Sequence, residues 1–300
     1  MMLDFRVFTF LTLCETMSYT KAADRLHLTQ PAVTQHVKYL EKEYGAPLFH
    51  YASKSLSLTP EGEMLRQYAV AVRADSEKLR ELIGKEKKRN SKMVFGATLT
   101  IGEYVLPEIL SSYLSEFPDT DINMQVNNTA TLLKRLVHGE IEFAFIEGNF
   151  NREEFEAKLF SEEKFIAVCA PSSPLLKKKA ALSDLTEERL LLREAGSGTR
   201  NMLETVLYEH NLAASDFRSV VEISNFAAIK KLAEDGLGIT FAYEEAVKEE
   251  IRQGRLCQLP ISHYHVTREF NFVLLKNSVM KQEPYTFFEF CKNARKKEKF

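Results

Sequence analysis

Ser18-Tyr19-Thr20-Lys21-Ala22-Ala23-Asp24-Arg25-Leu26-His27-Leu28-Thr29-Gln30-Pro31-Ala32-Val33-Thr34-Gln35-His36-Val37-Lys38-Tyr39-Leu40-Glu41 reads as two short helices meeting at a tight turn over 26–29. Ser18 or Thr20 can cap the first helix, and Thr29 caps the second. Pro31 then falls in the first turn, where a missing N–H costs nothing. Ala22 and Ala23 are small enough for the two axes to approach closely. Leu26, Leu28, Val33, Val37 and Leu40 recur at helical spacing and are expected beneath as a core. The opposite face presents Gln30, Ala32, Thr34, Gln35 and Lys38. Those side chains suit groove reading: Gln can bond an adenine edge in bidentate fashion, Thr and Ala can meet a thymine methyl, and Lys can meet phosphate or guanine. The helix N-terminus adds backbone N–H groups toward phosphate. On spacing alone, a small helical domain with no nucleic-acid role fits as well.

Outward from this stretch, Leu3, Val7, Phe10, Leu11 and Cys14 mark a preceding helix. Downstream, Gly45-Ala46-Pro47 stops the second one, and 51–58 reads as a short wing with Lys54 placed to meet the DNA backbone. Thr59-Pro60-Glu61-Gly62 starts a long helix reaching about Arg89. Within it Leu65, Ala69, Val72, Ser76, Leu79 and Ile83 step by four and three, a heptad-like seam suited to a second copy of the chain. An amphipathic helix packed on its own domain fits the same spacing. The polar run 84–92 reads as a linker.

From Met93 the pattern becomes α/β alternation, which predicts largely parallel sheets with crossover helices. Strands are expected at 93–97, 121–126, 142–147, 164–169, 190–193, 219–223, 238–241 and 270–275. Helices are expected at 103–117, 130–138, 199–210, 225–235, 243–252 and 284–296. Four strand-to-helix junctions are rich in hydroxyl or amide side chains: Thr98 with Thr100; Asn128 with Thr129; Gly196, Ser197, Thr199 and Arg200; and Ser224 with Asn225. Ligand crevices in open α/β folds lie outside the carboxyl ends of strands, where helix N-termini point inward. This donor-rich set suits a small anion, with Arg200 or Arg193 as counter-charge. Each junction alone also suits a plain helix cap.

Composition limits the alternatives. The 300 residues carry a net charge of −2 and are 45% hydrophobic. Residues 1–90 hold 14 basic and 11 acidic side chains, a net +3, whereas 91–300 hold 26 and 31, a net −5. A mildly basic reader precedes an acidic sensor. No apolar run is long enough for a membrane span. The start of the chain lacks the features of a secretion signal, so a cytoplasmic location is expected. Cys14, Cys169, Cys257 and Cys291 are far apart and form no metal-type pair. No H-E-x-x-H, Walker loop, G-x-S-x-G or G-x-G-x-x-G occurs, and His263 with His265 lacks a third ligand. No catalytic residue, metal or cofactor is expected.

The motif Ala22-Ala23-x-x-Leu26-x-Leu28-Thr29-Gln30-Pro31-Ala32-Val33-Thr34 with Leu40-Glu41, followed by Gly45-x-Pro47-Leu48-Phe49 and Leu58-Thr59-Pro60-x-Gly62, resembles the LysR-type bacterial transcriptional regulators over essentially the whole chain. His50-Tyr51 stands where that family often has Arg. The resemblance implies an N-terminal winged helix-turn-helix (1–58), a dimerising linker helix (59–90) and a two-lobed α/β effector domain (91–300) similar to type 2 periplasmic binding proteins. Lobe one would be 91–163 with 267–300, and lobe two 164–266. It also implies an effector in the interlobe cleft touched by Thr98 and Thr100, with Glu147-Gly148 at the end of the first lobe. The implied partners are promoter DNA and further copies of the chain, as a homodimer or homotetramer that bends DNA, with RNA polymerase a candidate. A solute receptor and an enzyme on the same two-lobed fold are the rival readings. The headpiece, the missing signal peptide and the lack of a catalytic constellation speak against them.

Overall fold

A computed structural model describes residues 4–52, 55–84, 92–148, 150–177 and 179–298. The chain forms two compact units. The first holds 1–88 together with 135–140 and 275–281, and the second holds 89–134, 141–274 and 282–300.

The first unit opens with three helices: α1 (Phe5–Thr16), α2 (Tyr19–Leu26) and α3 (Gln30–Tyr44). Ser18, rather than Thr20, caps α2, accepting from the Lys21 N–H, and His27 ends it in the left-handed region. Leu13, Ala22, Ala23, Val33 and Val37 close into one buried cluster with Tyr19, Phe49 and Leu56 against it. Leu28 is a correction to the expected core, being 38% exposed. It follows left-handed His27, and its own N–H turns back to the Ala23 carbonyl, which leaves the side chain outside. The wing is an antiparallel pair, β1 (Phe49–Ala52) and β2 (Ser55–Leu58), with Phe49 opposite Leu58.

Helix α4 (Pro60–Gly84) follows. The anticipated seam does not lie on one open face. Ala69 and Ser76 are buried within the chain, while Met64, Tyr68, Val72 and Ile83 are exposed. Of the expected seam only Val72 and Ile83 are exposed, joined by Met64 and Tyr68 from the neighbouring positions, because the chain itself already covers Ala69 and Ser76. The expected linker at 84–92 falls almost wholly outside the described residues.

In the second unit the elements run β3 (Lys92–Ala97), α5 (Leu99–Tyr104), α6 (Leu106–Glu116), β4 (Asp121–Val126), α7 (Thr129–Val137), β5 (Phe143–Glu147), β6 (Phe155–Cys169), β7 (Arg189–Leu192), α8 (Gly198–Glu209), β8 (Ser219–Glu222), α9 (Phe226–Glu234), β9 (Thr240–Tyr243), α10 (Glu244–Arg252), β10 (Cys257–Gln258), β11 (Val266–Leu275) and α11 (Gln282–Glu298). The helix expected over 103–117 is two helices, broken at Val105, with Pro107 taken into the first turn of α6. The strand expected at 238–241 begins two residues later, since Gly238 lies against the Arg189 carbonyl.

The sheets are mixed rather than largely parallel. β3 pairs with β4 and β5 in parallel, and β7 with β8 likewise. β11 pairs antiparallel with β5, and β6 antiparallel with β9 and β10. The reversal comes from two long strands, β6 and β11, which neighbour each other and carry the chain from one lobe to the other and back. Beneath them the core is aromatic: Phe95 stacks on Phe143 at 4.9 Å, and Phe145, Phe272 and Phe287 meet the same cluster. Each such ring withdraws enough apolar surface to contribute roughly 2–3 kcal/mol.

Candidate functional site

Two surfaces gather the residues singled out from the sequence. On the first unit, Thr29, Gln30, Pro31, Gln35 and Lys38 are exposed at the N-terminal part of α3, and Ala32 and Thr34 are half-buried beside them. Thr29 Oγ1 accepts the Ala32 N–H at 3.3 Å, which satisfies one terminal donor and fixes the start of the helix. The Thr34 hydroxyl donates to the Gln30 carbonyl at 3.0 Å, so its methyl and its oxygen lone pairs are what it can offer a base. From behind, His36 Nδ1 meets Thr9 Oγ1 at 2.9 Å, and the Arg6 guanidinium lies 3.7 Å above the Tyr39 ring. The helix is thus seated on α1 while its outer face stays free. Lys54 lies outside the described residues. Tyr51, which the sequence places where the family often has Arg, is 73% exposed on the wing.

On the second unit, three expected junctions meet at one side chain. Glu147, the last residue of β5, is 2% exposed. Its Oε1 accepts from Thr199 Oγ1 at 2.9 Å and from Thr100 Oγ1 at 3.4 Å, while its backbone carbonyl accepts from Thr129 Oγ1 at 2.9 Å. Thr199 sits at the start of α8, where Ser197 Oγ accepts the Arg200 N–H. Asn128 Oδ1 accepts the Thr131 N–H and stands beside Gly196, which is in the left-handed region. Gly198 has no room for a side chain: a Cβ there would fall 2.6 Å from Glu147 Cγ. Thr98, just before α5, donates its N–H to the Phe145 carbonyl, yet its buried hydroxyl has no partner. Nor has Glu147 Oε2. Burial pushes the Glu147 carboxyl up to about 7, against the pull of the Thr199 and Thr100 hydroxyls and of the Arg193 charge.

Asn225 stands apart from this cluster. It caps α9, accepting the Ala228 N–H, and lines a cavity of about 250 Å³ with Leu99, Glu103, Ser224, Phe226 and Ala227. Leu99, which lines the cavity, separates Thr98 from Thr100 in the chain.

Arg200 is not available as a free counter-charge. Its guanidinium donates to Glu204 at 2.8 Å, to Glu222 at 2.6 Å and to the Arg193 carbonyl at 3.2 Å. Arg193 in turn is held by Glu194 through two hydrogen bonds. Both arginines are already paired with carboxylates: Glu194 and Glu204 stand at spacings the sequence displays, whereas Glu222 comes from β8. Tyr243, at the end of β9, was missed. It is fully buried, its hydroxyl has no partner, and it feels the charge of Glu147. Its position at a strand end, like that of Glu147, was the signal available.

Two family models match this chain. The Bacterial regulatory helix-turn-helix protein, lysR family, covers residues 6–63, and the LysR substrate binding domain covers 87–296. Among curated proteins, the HTH-type transcriptional regulator CysL of Bacillus subtilis (strain 168) is 28% identical over 279 residues, which is 91% of this chain and 92% of CysL. Among solved structures, a mutant of Corynebacterium glutamicum OxyR matches with a TM-score of 0.62 at 23% identity, covering 97% of this chain and 91% of that one. The Synechocystis PCC6803 CcmR regulatory domain in complex with 2-PG matches with a TM-score of 0.62 at 19% identity, over 68% of this chain and 96% of that one. The matched families and relatives are transcriptional regulators, not enzymes. A DNA-reading headpiece and a substrate-binding domain follow one another here in the family's order, and the chain belongs to the LysR family of transcriptional regulators.

Proposed function

We propose that this regulator answers to a small anionic effector held around Thr98, Thr100, Asn128, Thr129, Glu147, Gly196, Ser197 and Thr199, with Asn225 at the cavity that Leu99 lines. Arg200 serves that site only through the loop it braces. The observation that carries this reading is the convergence of three threonine hydroxyls on Glu147, beside two buried polar atoms that nothing in the protein satisfies. Leaving such groups unpaired costs about 1–3 kcal/mol each, which a ligand would recover. The 2-PG in the CcmR regulatory domain supports a small metabolite as effector. Thermal-shift screening with small anions tests it. Thr100→Val should abolish the ligand response while DNA binding survives, and an unchanged induction curve would refute the assignment.

At the other surface, Gln30, Ala32, Thr34, Gln35 and Lys38 read base edges and phosphates, with Thr29 and Pro31 shaping the helix start and Lys54 on the wing. Gln30→Ala should lower specific more than non-specific DNA affinity; equal loss would count against base reading. The chain acts as a homodimer or homotetramer in the cytoplasm, RNA polymerase being a further partner. The exposed stripe of Met64, Tyr68, Val72 and Ile83 on α4 supports self-association. Sedimentation of Tyr68→Lys against the unaltered chain checks this, the altered chain being expected to dissociate.

A further inference from the structure

An anion approaching the start of α8 finds the place taken. Thr199 gives its hydroxyl to Glu147 Oε1 at 2.9 Å, and Thr100 reaches the same oxygen at 3.4 Å. Gly198 admits the carboxyl by lacking a Cβ, and Gly148, at φ +86°, brings its backbone against Gly198. The donors that would greet an external anion therefore serve the protein's own carboxyl. What remains open is mostly acceptor: Glu147 Oε2, an acceptor when ionised, and the Thr98 hydroxyl, which accepts or donates. Both atoms are buried and without partners, on side chains 2% and 1% exposed. While Glu147 is ionised, as it is above about pH 7, a fully deprotonated oxyanion here would set acceptor against acceptor. A ligand bringing an O–H or N–H would satisfy Oε2 and leave Thr98 free to donate to the ligand's anionic group.

Building on the effector reading above, we infer that the effector carries a hydrogen-bond donor, a hydroxyl or an ammonium, beside its carboxylate or phosphate group, and that Glu147 Oε2 receives it. Hydroxy acids, amino acids and hydroxylated phosphomonoesters belong to this class; sulfate, acetate and propionate do not. Glu147 is then the residue that sets specificity, and the threonines around it hold it in place.

The test is calorimetric titration of the full chain at about pH 8, where Glu147 is ionised, with matched pairs such as glycolate with acetate and alanine with propionate. It extends to a panel of two- to six-carbon acids and phosphomonoesters, each beside its deoxy or desamino partner, with sulfate and phosphate included. A donor-bearing member should bind at least about ten-fold tighter than its partner, because a buried acceptor left unpaired discriminates strongly. Glu147→Gln keeps an oxygen for Thr100 and Thr199 but places an NH2 where Oε2 accepted, so the preference should vanish. Thr98→Val, which keeps the shape, should weaken the preferred ligand at least about ten-fold as well. Equal or tighter binding of the compounds lacking a donor, or a preference unchanged in folded Glu147→Gln, overturns the inference and leaves the effector site standing. Absence of binding by every member of the panel removes the effector site itself, and the inference with it.

Discussion

Gly62 explains a whole sequence motif at the scale of one atom. A Cβ at this position would stand 2.0 Å from the Leu48 carbonyl oxygen and 2.9 Å from Leu58 Cδ2. Immediately before Pro60-Glu61, Thr59 donates its hydroxyl to the Pro47 carbonyl at 2.7 Å, and its Oγ1 accepts the Gly62 N–H at 2.9 Å. Leu58-Thr59-Pro60-x-Gly62 is thus the joint that fastens the wing to the long helix. Gly62→Ala should force the backbone apart and cost about 2–4 kcal/mol, read from urea unfolding of the full chain; a loss below about 0.5 kcal/mol would contradict the contact. Glu147 gives a second prediction at this scale. Its carboxyl is raised from 4.5 to about 7 in the folded chain, so it stabilises the fold below its unfolded value and that stability is lost as pH rises through about 7. Glu147→Gln, which stays neutral, should therefore gain stability over the unaltered chain at pH 8, on the order of 3 kcal/mol, and show little gain at pH 4.5. Melting curves at the two pH values decide it. The threonines around Glu147 were legible in the sequence because hydroxyls cluster at strand ends. The capture of Arg200 by Glu222 was not, because Glu222 arrives from β8 and only the fold brings it near.

Among elements, α9 and α10 are tied by a charge pair that periodicity hides. Lys230, 9% exposed, donates to Glu250 Oε1 at 2.8 Å and to the Ala246 carbonyl at 3.2 Å, with its ammonium 4.6 Å from the Tyr104 ring centroid. In the sequence both residues fall among charges that read as solvated helix faces. Burying them costs desolvation, which the pairing offsets. Lys230→Met leaves Glu250 with only Arg255, at 3.6 Å, and should cost about 3 kcal/mol, while Lys230→Met with Glu250→Leu should recover most of it. Thermal melts of the single and double variants separate the two, and equal losses would show that the pair is not the cause. Arg295 of α11 makes a comparable buried contact, reaching Glu163 at 3.0 Å and Glu245 at 3.1 Å. Nothing local announces it, since the three residues come from three distant elements. The elements themselves were largely readable, because hydrophobic spacing fixes helix and strand. Sheet direction was not, for alternation of helix and strand says nothing of the two long strands that return antiparallel.

For the molecule as a whole, charge is divided unevenly, with net +3 on residues 1–90 and −5 on 91–300. A headpiece so weakly basic gains little from phosphate contacts alone, and DNA affinity is expected to rest on several headpieces acting together. Binding to a promoter fragment should fall steeply between about 50 and 200 mM salt, by roughly a hundred-fold or more for an assembly making many phosphate contacts. Tyr68→Lys should flatten that dependence if it separates the copies, and fluorescence anisotropy at several salt concentrations measures both effects. The division into reader and sensor was legible from the change of pattern at Met93. The order in which strands come together carries one more consequence. β5, whose five residues are all buried, needs β11 as its neighbour, with Phe145 opposite Phe272. Yet β6 through β10 are all synthesised in between. During translation the headpiece is made first, and β6, β9 and β10 all precede β11. The apolar edge of β5 stays uncovered until the last tenth or so of the chain emerges. Such an edge is a template for pairing with other chains. Nonsense truncation before Val266 should therefore yield aggregates rather than a smaller regulator, so ribosome stalling late in the message becomes a hazard to the cell's solubility, not only a loss of sensing.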